Sequence, residues 1–198
     1  MTIRPRSTWA VALLALAAVA PARGDEIVNI DANHYGYQES PVIPSVGEAV
    51  SPISTAPGGF LQRTLTAGVY QISNAVGDPQ ALYDAFKFNQ ATSGETWTWN
   101  FLITNADDGN KAVLFGNGSG LAATQADAAA NAAGYVGYFT LTTTSTLNFM
   151  ISDYAVGDNT GGVSLRITPL AVPEPAALAM MALGALLPAV ALARRRSA

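Results

Sequence analysis

The strongest constraint on the fold is a set of segments in which apolar and polar residues alternate. The clearest is segment 97–104, where one face carries Trp97, Trp99, Phe101 and Ile103. Residues 147–152 and 163–168 alternate in the same way. Because successive side chains of a strand point to opposite faces, each segment predicts a half-buried β-strand. The predicted fold class is all-β, an antiparallel β-sandwich or jelly roll.

Other elements are predicted around these strands. Strands are expected at residues 69–72, 112–115 and 138–142, and the alanine-rich segment 122–133 predicts a short helix or a covering loop. Prolines interrupt residues 25–59, and each lacks an amide donor and restricts the residue before it. This segment is therefore expected to be an irregular arm with one or two edge strands. Since the chain has no cysteine, its stability must come from its core or from a bound metal.

Residues 1–24 have the composition of a secretory signal peptide. Two arginines precede an apolar stretch from Trp9 to Ala20, and small residues follow it. The stretch is too short to span a bilayer comfortably, and the order of its parts matches a signal peptide. Cleavage after Ala22 or after Gly24 fits the sequence, with an uncleaved N-terminal anchor as the alternative. Residues 25–171 then form the exported body, which is long enough for one hydrophobic core.

Residues 172–198 combine three features in order. The first is a short motif made of Val172, Pro173, Glu174 and Pro175. Residues 176–193 follow without a charge, and the basic end 194–198 begins with Arg194, Arg195 and Arg196. Eighteen helical residues span about 27 Å, which is enough for the hydrocarbon core of a bilayer. The sequence therefore predicts a transmembrane helix over 176–193, with the arginines held on the cytoplasmic side.

This order of parts resembles the PEP-CTERM sorting signal of Gram-negative bacteria. The resemblance covers residues 172–198 only. It implies recognition by an exosortase, a membrane-embedded enzyme similar to cysteine transpeptidases, followed by removal of the tail and delivery toward the cell surface. It also implies an association with exopolysaccharide and biofilm production. A plain membrane anchor behind a proline-rich linker is the alternative.

The body is strongly acidic once the two basic ends are set aside. Between Asp25 and Pro175 there are four basic and fourteen acidic residues, a formal charge of −10. Such a domain repels nucleic acid and anionic lipid. Cation binding and simple solubility both remain open as reasons for the charge.

The segment 153–162, between the last two predicted strands, is rich in oxygen ligands and glycine. Asp153, Asp158 and Asn159 are hard oxygen donors of the kind that Ca²⁺ prefers. The stretch from Asp158 to Ile167 is similar to the end of galactose-binding-type jelly rolls and of some calcium-dependent bacterial lectins. This similarity implies a calcium site and a sugar bridged by it. The alternative is a hairpin turn rich in Asx and glycine, without a metal.

Two further groups of residues are relevant to function. Trp97 and Trp99 share one strand face, which suits either a sugar-stacking platform or the hydrophobic core. The chain has one histidine, His34, and no Gly-x-Ser-x-Gly motif, so the sequence offers little for nucleophilic catalysis.

The function expected is therefore a non-enzymatic, exported protein of the cell surface or extracellular matrix, in a structural or adhesive role. Its expected partners are the export machinery, the exosortase, the inner membrane during transit, and polysaccharide. The first alternative is a calcium-dependent carbohydrate-binding module. The second is a glycoside hydrolase that uses two carboxylates, which need only a suitable separation.

Overall fold

The computed structural model describes residues 24–37, 43–153 and 155–170, and most of them lie in β-strands. The all-β class predicted from the alternating segments is confirmed. The predicted signal peptide up to residue 23 and the predicted tail, residues 172–198, lie outside the described residues. Within the described ranges, no helix is long and apolar enough to cross a membrane.

The described residues contain eleven strands and one α-helix, with two short 3-10 helices at Ala106–Asp108 and Val156–Asp158. In chain order the strands and the α-helix are β1 (Glu26–Asp31), β2 (Tyr35–Tyr37), β3 (Pro52–Ser54), β4 (Gln62–Leu65), β5 (Gly68–Asn74), β6 (Phe86–Lys87), β7 (Trp97–Asn105), β8 (Lys111–Ala122), α1 (Gln125–Ala132), β9 (Val136–Leu141), β10 (Ser145–Ser152) and β11 (Thr160–Leu170).

The strands fall into two hydrogen-bonded groups. In the first group β11 pairs antiparallel with β1 and with β5, and β5 pairs antiparallel with β9. In the second group β10 pairs antiparallel with β4 and with β7, and β7 pairs antiparallel with β8. The two-residue strand β6 pairs with both β7 and β11, so it joins the groups. The short β2 runs parallel to the end of β10 and forms an antiparallel pair with β3.

The segment 25–59 is more regular than predicted. It contains three strands, and β1 buries Val28 and Ile30 completely. The proline argument failed because every proline of the segment comes after β1 and β2, where it cannot disturb their pairing. Pro52 is the first residue of β3, a position at which a strand tolerates proline.

Side chains from both groups of strands pack into one core. Its largest fully buried members include Trp99, Phe101 and Phe149 from the second group, and Ile30 and Ile72 from the first. A second, smaller cluster lies on the opposite face of β7 and β10, where Leu102 and Met150 contact Tyr37 and Ala112. The strand β7 is therefore covered on both faces.

Tyr135 connects α1 to the main core. Thr124 is the N-cap of helix α1, and its side-chain oxygen accepts a hydrogen bond from the backbone nitrogen of Asp127. Three residues after the helix, the ring of Tyr135 lies 5.0 Å from the ring of Trp99 and 5.5 Å from that of Phe101, measured between centroids. Burial of the hydroxyl raises the pKa of Tyr135 above its usual value.

Gly116 on β8 leaves the space that the Tyr135 side chain occupies. A β-carbon at Gly116 would lie 2.6 Å from the Tyr135 hydroxyl oxygen and would also overlap the Phe101 ring. Gly116→Ala should therefore lower the free energy of unfolding by about 1–3 kcal/mol, measured by urea denaturation. Gly134→Ala is the matched control, since a β-carbon there meets open space. An unchanged stability in Gly116→Ala would contradict the packing described for Tyr135.

Candidate functional site

The segment between β10 and β11 is a crossing between the two groups of strands. Strand β10 pairs with β2, β4 and β7, whereas β11 pairs with β1, β5 and β6. Within the part of the chain that the structure describes, β10 and β11 do not pair with each other. The alternative prediction of a hairpin turn at 153–162 is therefore wrong, because the connection carries the chain from one group to the other.

Two asparagines hold this crossing against the turn that follows β1. The side-chain nitrogen of Asn33 donates its two hydrogens to the backbone oxygens of Val156, Gly157 and Asn159, at 3.3, 3.1 and 3.1 Å, so one hydrogen is shared between two of these oxygens. In return, the side-chain nitrogen of Asn159 donates to the backbone oxygen of Ala32 at 3.1 Å. We call these four hydrogen bonds the asparagine clamp. It links residues that are 123–127 positions apart in the sequence.

The sequence around Asn33 positions the clamp locally. Asp31 ends β1, and its side-chain oxygen accepts a hydrogen bond from the backbone nitrogen of Asn33 at 2.9 Å. This is the local bond by which an Asp side chain stabilises a tight turn. The backbone nitrogen of Ala32 also donates to the oxygen of Gly161 at 3.1 Å, so the turn is fixed to the start of β11.

Asp158 and Asn159 present oxygens that are suited to a cation. Asn159 is only 2% exposed, and the Oδ1 atoms of both residues are buried without a hydrogen-bond donor. A buried acceptor left without a donor costs about 1–3 kcal/mol. A bound Ca²⁺ would remove this cost, since it is coordinated by carboxylate and amide oxygens. These two residues of the predicted calcium site therefore supply donor atoms of the type that Ca²⁺ prefers.

Asp153, the third predicted ligand, lies at the end of β10. It lines a cavity of about 300 Å³, which neither Asp158 nor Asn159 lines. Across the described ranges, no group of three or more His, Cys, Asp or Glu side chains is placed to hold a metal ion. A calcium site at 158–159 would therefore depend on the amide of Asn159 and on backbone or water oxygens as well as on carboxylate.

His34 is hydrogen-bonded within a small polar cluster. Its Nδ1 atom lies 2.9 Å from Oδ2 of Asp31, and the same carboxylate oxygen accepts a hydrogen bond from the Tyr83 hydroxyl at 3.4 Å. Burial and the Asp31 carboxylate raise the pKa of Tyr83. These contacts tie the turn after β1 to the segment before β6.

Trp97 and Trp99 lie on β7 as predicted, but they do not form a stacking platform. Trp99 has no exposed surface, and its ring packs against Phe101 and Tyr135 in the core. Trp97 is partly buried against the same core. A ring without exposed surface cannot stack on a sugar, so the ligand-binding interpretation of this pair is corrected in favour of core packing.

A larger cavity, of about 470 Å³, lies between the start of β8 and the end of β9. It includes the exposed ring of Tyr138 and the ion pair between Lys111 and Asp108, whose charged atoms lie 2.8 Å apart. None of the described site residues predicted from the sequence lines this cavity.

Asn33 is the site residue that the sequence did not nominate. The order Asp31-Ala32-Asn33 after a short apolar alternation is a turn signal, but its partners lie more than 120 residues away. Comparisons with protein families, curated proteins and solved structures give no match for this chain. The functional argument therefore rests on the residues described above and on the sequence of the tail.

The asparagine clamp predicts an order of stability among variants of Asn33. Asn33→Ala removes a donor to three carbonyl oxygens and should cost about 1–3 kcal/mol. Asn33→Asp should cost more at pH 7, because it places a carboxylate against those same oxygens. Chemical denaturation measures both values.

Asn89→Asp is the matched control for this series. Asn89 uses only its oxygen, which accepts a hydrogen bond from the backbone of Ala91, and an aspartate preserves that bond. Its stability should change by less than about 0.5 kcal/mol. An Asn33→Asp variant at least as stable as Asn33→Ala would contradict the clamp.

Proposed function

We propose that this chain is an exported protein of the Gram-negative cell surface or extracellular matrix, with a structural or adhesive role. The observation that carries the proposal is the order of parts in residues 172–196: the Val-Pro-Glu-Pro motif, the uncharged span and the three arginines. A secretory signal over residues 1–24 is consistent with the same route. The partners on this route are the export machinery, the inner membrane and an exosortase.

The chemistry of the tail suits a protease substrate. Because proline restricts its own backbone and that of the residue before it, the sequence favours an extended form around Pro173 and Pro175, directly before the apolar span that begins at Ala176. An extended peptide at the membrane surface is accessible to an enzyme embedded in that membrane. Glu174 carries the only charge between Val172 and Ala193.

The body is proposed to be a non-enzymatic β-sandwich or jelly-roll scaffold. Two groups of strands, which β6 joins into one eleven-stranded sheet, pack around a shared core and support this architecture. Three of its carboxylates form ion pairs that link separate segments of the fold, which is consistent with a structural role. Arg166 pairs with Asp25 and Asp78, at 3.1 and 2.7 Å, and Arg63 pairs with Glu26 at 2.6 Å.

Intact-mass analysis of protein extracted from the cell surface tests the sorting proposal. The expected species begins at Arg23 or Asp25 and lacks the terminal Arg-Arg-Arg-Ser-Ala. Replacing Pro173 and Pro175 together by alanine should leave the tail attached, because the extended motif is lost. Pro188→Ala is the matched control, since it changes a proline within the span and keeps the motif. Surface protein that still carries the arginines would overturn the proposal.

A calcium-dependent carbohydrate-binding module is the second candidate function. The observation that favours it is the pair of buried, unpartnered Oδ1 atoms on Asp158 and Asn159. When bound, the ion would offer coordination positions to sugar hydroxyls, and the asparagine clamp would hold the Asn159 side chain and the backbone on either side of Asp158 in place before binding.

Thermal melting in excess calcium and in chelator tests this second candidate. Saturation at about 100 times the Kd stabilises the fold by about 2.7 kcal/mol, so calcium should raise the melting temperature by several degrees. Asp158→Asn should remove most of this increase. Asp84→Asn, at an exposed aspartate elsewhere, should retain it. A melting temperature that does not respond to calcium would exclude the site.

A further inference from the structure

The cavity of about 300 Å³ opens where β7 and β10 stop pairing. Their register ends at the pair Leu102–Met150. Beyond that point, the Asn100 side chain forms the hydrogen bonds to β10 in place of a backbone pair. Its Oδ1 atom accepts from the backbone nitrogen of Ser152 at 2.7 Å, and its Nδ2 atom donates to the backbone oxygen of Ser152 at 3.2 Å. Asn100 is thereby fixed at the wall of the cavity before any ligand arrives.

A β-bulge shapes the same region on the other side of β7. The register between β7 and β8 shifts between Thr98 and Asn100, and the backbone nitrogen of Trp99 donates to the Ser119 hydroxyl at 2.7 Å. Thr98 and Asn100 line the cavity together with the residues that they face across the ladder, Leu121 and Asn117. Bulges of this kind redirect side chains and are frequent beside binding sites.

The lining combines apolar surface with neutral polar groups. The half-buried rings of Phe88 and Phe115 contribute apolar walls, and the exposed side chains of Ile43 and Leu121 extend them, at 60% and 56% exposure. The polar lining consists of Thr98, Asn100, Asn117, Ser152 and Asp153. Among the described residues that line the cavity, the single ionisable side chain is an acid, and the body carries a formal charge of −10. An anionic ligand is therefore disfavoured here.

We infer that this cavity binds a sugar unit that carries no negative charge. Apolar walls accept the C–H faces of a pyranose ring, while amide, hydroxyl and carboxylate groups bond its hydroxyls. Uncharged hexoses and amino sugars fit, whereas uronic acids would bring a carboxylate against Asp153 and the acidic body. The inference rests on the proposed adhesive role and gives it a ligand class.

This site is separate from the proposed calcium site. Neither Asp158 nor Asn159 lines the cavity, so sugar binding here does not need the ion. It is also separate from the buried Trp99, whose ring lies in the main core.

Isothermal titration of the full-length chain in detergent micelles tests the inference. The probes are neutral tetrasaccharides of gluco, galacto and manno configuration, a glucosamine tetrasaccharide and a galacturonate tetrasaccharide. At least one of the uncharged or amino probes should bind, the galacturonate probe should not, and a chelator should leave the affinity unchanged.

Variants locate the binding in the cavity. Phe115→Ala should weaken binding about tenfold or more, because it removes an aromatic wall. Phe115 also contacts the smaller core cluster, so its loss could affect folding as well as binding. Leu121 is exposed, so Leu121→Asp should leave the fold intact and still weaken binding. Tyr138→Ala is the control, since its 59% exposed ring belongs to the larger cavity.

Several results would overturn the inference: no binding of any uncharged or amino probe, equal binding of galacturonate, loss of binding in chelator, or full binding by Leu121→Asp. The titration does not depend on export. A failed titration therefore leaves the sorting proposal intact, and an uncleaved tail leaves this inference intact.

Discussion

The hydrogen bonds of Asn33 and Asn159 stabilise the connection that carries the chain between the two groups of strands. The chain must leave β10 in one group of strands and enter β11 in the other, and β11 pairs with three strands. The asparagine clamp fixes the crossing at the point where β11 begins. Each bond contributes only about 0.5–1.5 kcal/mol net, but leaving the same groups buried and unpaired would cost more. The clamp therefore stabilises the start of β11, whose remaining length is held by its pairs with β1 and β5.

Local patterns predicted much of the fold. The alternations at 97–104, 147–152 and 163–168 correspond to β7, β10 and β11, and the alanine-rich segment contains α1. The predictions that failed concerned pairing between segments that are far apart in the sequence. Because of its prolines, segment 25–59 was predicted to be irregular, and β1 was not predicted. The stability of β1 comes from its partner β11 rather than from its own composition. Likewise, a turn-rich sequence cannot reveal whether the strands beside it pair with each other.

In the candidate sites, too, the local chemistry was predictable from the sequence and the contacts between remote residues were not. Oxygen chemistry alone nominated Asp158 and Asn159, and the structure adds that their Oδ1 atoms are buried without donors. Asn33, which donates to the backbone of the same loop, is remote in sequence and could not be predicted from composition. The cavity beside Asn100 depends on a bulge and on the divergence of two strands, neither of which has a sequence signal here. In the proposed surface role, an acidic scaffold would thus present one hydrogen-bonded loop for a cation and one separate cleft for a sugar.

The central claim is that Asn33 and Asn159 act as one unit, and a double-mutant cycle tests it most directly. The free energy of unfolding is measured for the unaltered chain, for Asn33→Ala, for Asn159→Ala and for the double variant. Because either substitution opens the same clamp, the double variant should lose less stability than the sum of the two single losses, with a coupling energy of about 0.5–3 kcal/mol. Losses that add to within about 0.3 kcal/mol would contradict the account.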